Sequence, residues 1–215
     1  DEQDPEKTGV SAERLHDELF KMAESGGSAL ADFVDKLDEA DLLGKFLPEI
    51  KAMQGVEQPP DHHPEGDVYQ HTMSALRSST HDEPITVLSI LFHDMGKPDT
   101  QEISDDRITF HGHEARGVEM FQDVANRLRF SNDEKNAITF VIKNHMFGYK
   151  AKQMKVGKLL PLRQSEWWEH LKGTLYADIH SRGKEEGPQE YEDIVGDIET
   201  RTKEYGDKAE MERRL

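Results

Sequence analysis

Residues 84–97 read Pro-Ile-Thr-Val-Leu-Ser-Ile-Leu-Phe-His-Asp-Met-Gly-Lys. From Pro84 to Met95 the run is too rich in apolar residues to lie on a surface. Its periodicity by itself admits either a helix or a buried strand. Length, and a proline that suits a first helical turn, select helix. The run then ends on His93-Asp94. Burying such a pair is costly unless something compensates it, and a metal cation is a compensating partner. Gly96 lets the chain turn directly after the pair, and Lys97 brings a positive charge to the same place.

Working outward, helical patterning begins at Asp67, where His71 shares a stripe with Val68, Thr72 and Ala75. Before it, the segment 58–66 (QPPDHHPEG) carries Pro59, Pro60 and Pro64 and is expected to be a loop. Further upstream, Ser11 caps a helix bearing Leu15, Leu19 and Met22, which should stop near Gly26-Gly27. Leu30, Phe33, Val34 and Leu37 mark a second helix, and Leu42 to Leu47 carry the apolar signal to Pro48. Downstream, residues 101–110 (QEISDDRITF) suggest a small β-excursion turning at Asp105-Asp106. Helices are predicted from Glu114 to Leu128, from Asn132 to His145 behind a Ser131/Glu134 capping box, and from Ser165 to Ser181. His145 continues the stripe of Ile138, Val141 and Ile142, and Asp178 that of Trp168, Leu171 and Leu175. Beyond Arg182 the chain turns Gly/Glu-rich and should close in a charged helix. The fold class is therefore all-α, a helical bundle with a short β-like insert near 101–110. Its expected organisation is a loose leader over 1–10, N-terminal helices over 11–57, a central domain over 58–182 and a charged extension over 183–215.

The 215 residues carry 27 Lys+Arg against 44 Asp+Glu, a formal net charge of −17, and no cysteine. Disulfides are excluded, and any metal site must be built from imidazole and carboxylate. No stretch approaches the roughly 18 apolar residues of a membrane span. The acidic start (Asp1, Glu2, Asp4) is unlike a signal peptide. A cytoplasmic location with no membrane partner is expected, and a first residue other than Met suggests processing or a longer parent. Extensive nucleic-acid binding is disfavoured, because polyanion affinity rests on neutralising phosphates. Four predicted helices nevertheless each turn an imidazole or carboxylate inward, which is how helical bundles build metal centres.

The ordered set His71, His93-Asp94 and Asp178 resembles the HD-domain superfamily of metal-dependent phosphohydrolases. Several runs resemble more narrowly the HD region of bacterial CCA-adding tRNA nucleotidyltransferases. They are Val10 to Arg14, Gln58-Pro59-Pro60, His63-Pro64-Glu65-Gly66-Asp67-Val68, His93 to Thr100, His111-Gly112-His113-Glu114, Asn144-His145-Met146 and Ala177-Asp178. The likeness spans about residues 10–182. Gly26-Gly27-Ser28 is followed by no Asp-x-Asp pair, Asp32 and Asp35 being wrongly spaced, so nucleotide addition is not expected of this chain.

The resemblance implies a hydrolase holding one or two divalent ions, of manganese, cobalt, nickel, iron or zinc, with magnesium less typical of such ligands. His71, His93, Asp94 and Asp178 would hold the first ion, while His113 and His145 would add ligands for a second. Asp94 and Lys97 would be catalytic, and Lys97, Arg116 and Arg182 would contact phosphate. The substrate would be a small nucleotide or an RNA-end phosphate ester, with 2′,3′-cyclic phosphodiester opening leading. A (deoxy)nucleoside triphosphate hydrolase, a 5′-nucleotidase and a non-catalytic tRNA- or protein-binding module are the alternatives. A homo-oligomer is compatible with all of these. Lys143, Lys150, Lys152, Lys155, Lys158 and Arg163, with no acid among them, could steer an anion. His111 and His180 are read as supporting or surface groups, and His16, His62, His63, His81 and His170 as loop or surface residues.

Overall fold

The computed structural model describes residues 10–61, 63–104 and 107–214. The leader, His62 and the Asp105-Asp106 turn fall in whole or in part outside them. Helix α1 (Ala12–Glu24) starts on Ser11, whose hydroxyl accepts from the Arg14 N–H. It stops before Gly26, whose φ of +98° only glycine adopts cheaply, and Gly27 already belongs to α2 (Gly27–Glu39). A Cβ at Gly27 would strike the Leu76 carbonyl, so this glycine lets α2 cross the next long helix at backbone contact. Two single-turn helices follow, α3 (Leu43–Phe46) and α4 (Pro48–Lys51). The proline-rich loop then leads to α5 (Val68–Ser78), opened by an Asp67/Gln70 capping box.

The deciding stretch is a helix, α6 (Pro84–Phe92), buried at every residue from Thr86 to Phe92. Burial of each large side chain such as Leu88, Leu91 or Phe92 contributes about 1.5–3 kcal/mol, which explains why this helix lies inside the bundle. Around it pack α1, α5, α9 (Asn132–Asn144) and α12 (Trp168–Ser181). Between α6 and α9 come the one-turn α7 (Lys97–Thr100), the antiparallel hairpin β1 (Glu102–Ser104) and β2 (Arg107–Thr109), and α8 (His113–Arg127). Ile103 pairs with Ile108 across the hairpin. The Ser131/Glu134 capping box of α9 is present.

After α9 the chain forms α10 (Phe147–Lys150), α11 (Val156–Arg163) and, after α12, the long α13 (Gly187–Arg214). The basic segment from Lys143 to Arg163 is thus largely helical. The charged extension packs through Tyr191, Ile194 and Ile198 against a second apolar cluster with Phe147, Trp168 and Leu171. Helices α9 and α12 feed both clusters: Ile138, Ile142 and Ala177 join the larger, Val141, Leu175 and Ile179 the smaller. Their polar residues His145 and Asp178 emerge between the two. Among the described residues no helix is long and apolar enough to cross a membrane.

Candidate metal centre

Each ligand candidate is delivered by an element boundary or a helix face. His71 is on the inner face of α5, and His93-Asp94 leaves the C-terminus of α6. His113 opens α8, His145 ends α9, and Asp178 lies on α12. Gly96 makes this convergence sterically feasible. A Cβ there would strike the His113 carbonyl and stand 2.6 Å from the Gly117 nitrogen, so glycine lets the turn after Asp94 press against the first turn of α8.

Asp94 is the hub, 2% exposed. Its Oδ2 stands 3.2 Å from His93 Nε2, 3.6 Å from His71 Nε2 and 2.6 Å from Lys97 Nζ. Its Oδ1 faces His113 Nε2 at 3.4 Å and His145 Nε2 at 3.5 Å. Asp178 Oδ1 lies 3.2 Å from His71 Nε2. Two buried trios result, His71/His93/Asp178 and Asp94/His113/His145, each able to hold a metal ion.

The ring nitrogens test whether a cation fits. His93, His113 and His145 each donate Nδ1–H to the carbonyl three residues back, Ile90, Phe110 and Ile142, at 2.7, 2.9 and 2.8 Å. His71 Nδ1 donates to Glu65 Oε1 at 2.6 Å. With every Nδ1 facing an acceptor, each ring in its neutral form presents its Nε2 lone pair inward. The Nε2 atoms of His71 and His93 are buried without a hydrogen-bond partner. Those of His113 and His145 meet at 3.0 Å, where two lone pairs repel unless a proton or cation lies between them. Ligands about 2.1 Å from a common ion stand roughly 3.0–3.4 Å apart, close to the separations found here. The donor set fits a first-row divalent ion.

Charge reinforces the geometry. Burial would raise the Asp94 and Asp178 pKa values, yet His93 and Lys97 around the first and His71 beside the second hold both well below the carboxylate range. Burial alone would lower His71, but Asp178 and Glu65 carry it up to about 9. Burial, helped by the adjoining His145, takes His113 down to about 4. On α10, Tyr149 donates to Asp178 Oδ2 at 2.7 Å and accepts from Arg182 at 3.0 Å. Burial and the Asp178 charge raise the Tyr149 pKa well above its ordinary value, so it stays a donor.

The centre opens into a cavity of about 490 Å³ lined by Pro59, His63, Lys97, Ile108, Phe110, His111, Met146, Tyr149, Lys150 and Arg182, together with the ligand candidates Asp94, His113, His145 and Asp178. Lys97 lies on its wall, but its ammonium is engaged by Asp94 and by Gln58 Oε1 at 2.7 Å. Arg182 reaches the cavity; Arg116 does not. Its guanidinium is held on the surface by Asp99 and Glu119, because its place on α8 points it away from the opening. His180 stacks on Tyr176 instead of facing the site, and Asp32 and Asp35 are paired with Arg77. His63, read from sequence as a surface residue, lines the cavity. Glu65, Gln58 and Tyr149 were not singled out as site residues. Glu65 was visible only as part of the His63–Val68 run, and Tyr149 only as a residue four positions after His145.

A largely helical bundle that buries an imidazole–carboxylate cluster beneath an open cavity defines the class: a helical domain with a candidate metal centre. A family model for the HD domain matches residues 66–195, more than half the chain, and the chain belongs to that family. Membership implies metal-dependent phosphohydrolase chemistry. The chain is 35% identical over 136 residues to the multifunctional CCA protein of Pseudomonas fluorescens, covering 62% of this chain and 32% of that protein. It is 32% identical over 169 residues to the multifunctional CCA protein of Pseudomonas syringae pv. syringae, covering 78% and 37% respectively. The chain thus spans about a third of the length of the curated relatives it matches.

Proposed function

We propose that this chain is a divalent-metal-dependent phosphohydrolase acting on nucleotide or RNA-end phosphate esters, with opening of a 2′,3′-cyclic phosphodiester as its leading reaction. The observation that carries this reading is Asp94, one buried carboxylate whose two oxygens face two histidine sets under an open cavity. In this reading His71, His93, Asp94 and Asp178 hold one ion, and Asp94, His113 and His145 hold a second. Bound there, a divalent ion supplies Lewis acidity toward a phosphoryl oxygen and makes water a better nucleophile near neutral pH.

The chain's own groups do the rest. Lys97 fixes the orientation of Asp94 and adds positive charge at the cavity wall, where negative charge grows on a phosphoryl group. Arg182, held by Tyr149, offers a second cation from the α12 end. Ile108, Phe110 and Met146 present apolar surface that excludes water and suits a base or sugar face. A cavity of about 490 Å³ accommodates a nucleotide or a chain end but not a folded RNA. Lys150 on the rim, with Lys143, Lys152, Lys155 and Lys158 exposed nearby in sequence, gives an acidic protein a basic approach for anions.

The test is hydrolysis of 2′,3′-cyclic AMP, deoxynucleoside triphosphates and 5′-monophosphates with manganese, cobalt or nickel, by the parent and by Asp94→Ala. Cyclic phosphodiester cleavage that needs metal and is lost in Asp94→Ala is expected. A preference for triphosphates or monophosphates transfers the site to those substrates. Inactivity on the whole panel leaves the binding-module reading.

A further inference from the structure

Of the four inward histidines, three are oriented by backbone carbonyls of their own helix or turn. His71 differs, because its Nδ1 meets a carboxylate from a loop, Glu65 Oε1 at 2.6 Å. The same oxygen receives His63 Nδ1 at 2.9 Å, and the two rings stand edge to face with centroids 4.8 Å apart. Glu65 is nearly buried, with its side chain 9% exposed and its other oxygen without a partner. Burial would raise its pKa, but the two imidazoles bring it down to about 2. A second acceptor, Ser181 Oγ, lies 3.2 Å from His71 Nδ1, but it is neutral and already donates to the Asp178 carbonyl.

We infer that Glu65 is a positioning residue that fixes His71 with its proton on Nδ1 and its Nε2 lone pair toward the metal, and that it ties the cavity-lining His63 to the same anchor. The inference rests on the metal reading above and deepens it. A carboxylate behind a ligating imidazole makes the ring more basic and holds its plane, and losing such a partner typically weakens metal binding about 10–100-fold. The trio His63, Glu65 and His71 could itself be taken for a metal site. Its separations of 2.6 and 2.9 Å are shorter than the roughly 3.0–3.4 Å between ligands of one ion, so protons occupy these gaps.

The experiment is cobalt(II) titration of the parent, Glu65→Ala, Glu65→Gln and His63→Ala, read by visible absorption. Histidine ring nitrogen NMR of the metal-free proteins runs beside it, with circular dichroism to verify folding. Glu65→Ala should bind cobalt about 10–100-fold more weakly and lose the hydrogen-bonded His71 Nδ1 proton signal. Glu65→Gln, which keeps an acceptor, should recover most of both. His63→Ala should leave cobalt affinity near the parental value. Parental affinity and ring signals in Glu65→Ala overturn the inference, as does loss of cobalt binding in His63→Ala. A parent that takes up no cobalt overturns the metal reading itself, and so is told apart from a failure of Glu65 alone.

Discussion

Replacing Lys97 with methionine keeps side-chain length and removes the ammonium that makes the shortest ion pair with Asp94 among the described residues. Lys97 and Asp94 are 2.6 Å apart with side chains 8% and 2% exposed, so neither is well hydrated. Removing one partner of a buried pair strands the other charge, and costs about 3–5 kcal/mol. With a urea m-value of about 2–3 kcal/mol/M, the unfolding midpoint of the metal-free protein should fall by roughly 1–2.5 M. Asp94→Asn should cost a comparable amount, because it leaves the Lys97 ammonium without a counter-charge, facing the neutral Gln58 amide and the Phe110 ring. The double variant should lose about 2–3 kcal/mol less than the two single losses together, since neither charge remains to be stranded. The assay is urea unfolding in a chelator, followed by fluorescence of Trp167 and Trp168. Strict additivity, or a Lys97→Met protein within about 0.5 kcal/mol of the parent, would refute this account of the site. Saturating manganese should narrow the Lys97→Met deficit, because a cation beside Asp94 replaces the missing ammonium.

Gly96→Ala should destabilise the protein by at least about 1–3 kcal/mol and weaken cobalt binding, because the new methyl group meets backbone atoms of His113 and Gly117; thermal melts and cobalt titration check both. Metal affinity should climb with pH and level off near pH 9, since the ion must displace the proton that Asp178 and Glu65 help His71 retain up to about 9; manganese titrations between about pH 6.5 and 9.5 would contradict this by showing a flat profile. Glu83 caps α6 by accepting from the Thr86 N–H, so Glu83→Ala should cost about 0.5–2 kcal/mol at neutral pH. Burial opposes its ionisation, but His170 and Thr86 lower its pKa below 4.5, so that stabilisation is complete above 4.5 and fades as pH falls through the lower folded-state value; unfolding curves of parent and variant should converge in acid.

Much of the bundle is legible in the sequence. The stripes of α1, α5, α8 and α9 recur every three to four residues, and side chains so spaced must share a face. His71, His145 and Asp178 were placed inward by that arithmetic, and His93-Asp94 by its position at the end of a buried run. Arg116 shows where the method stops: its sequence position near His113 says nothing of which side of α8 faces the cavity, and Asp99 and Glu119 claim it on the surface. Segment 156–163 shows the same limit, since its basic composition conceals Leu159, which is buried where α11 packs against α13.

By itself, then, the sequence determined that the chain is helical, which faces turn inward, and that a His-Asp pair ends its most apolar helix. Helical periodicity is local, and burial follows from it. Only the tertiary structure decided that Asp94 shares its two oxygens between two histidine sets, that Tyr149 braces Asp178, and that Glu65 stands behind His71. Those contacts join helix ends and loops that carry no repeating pattern, so their partners are chosen by how the helices cross and not by spacing along the chain.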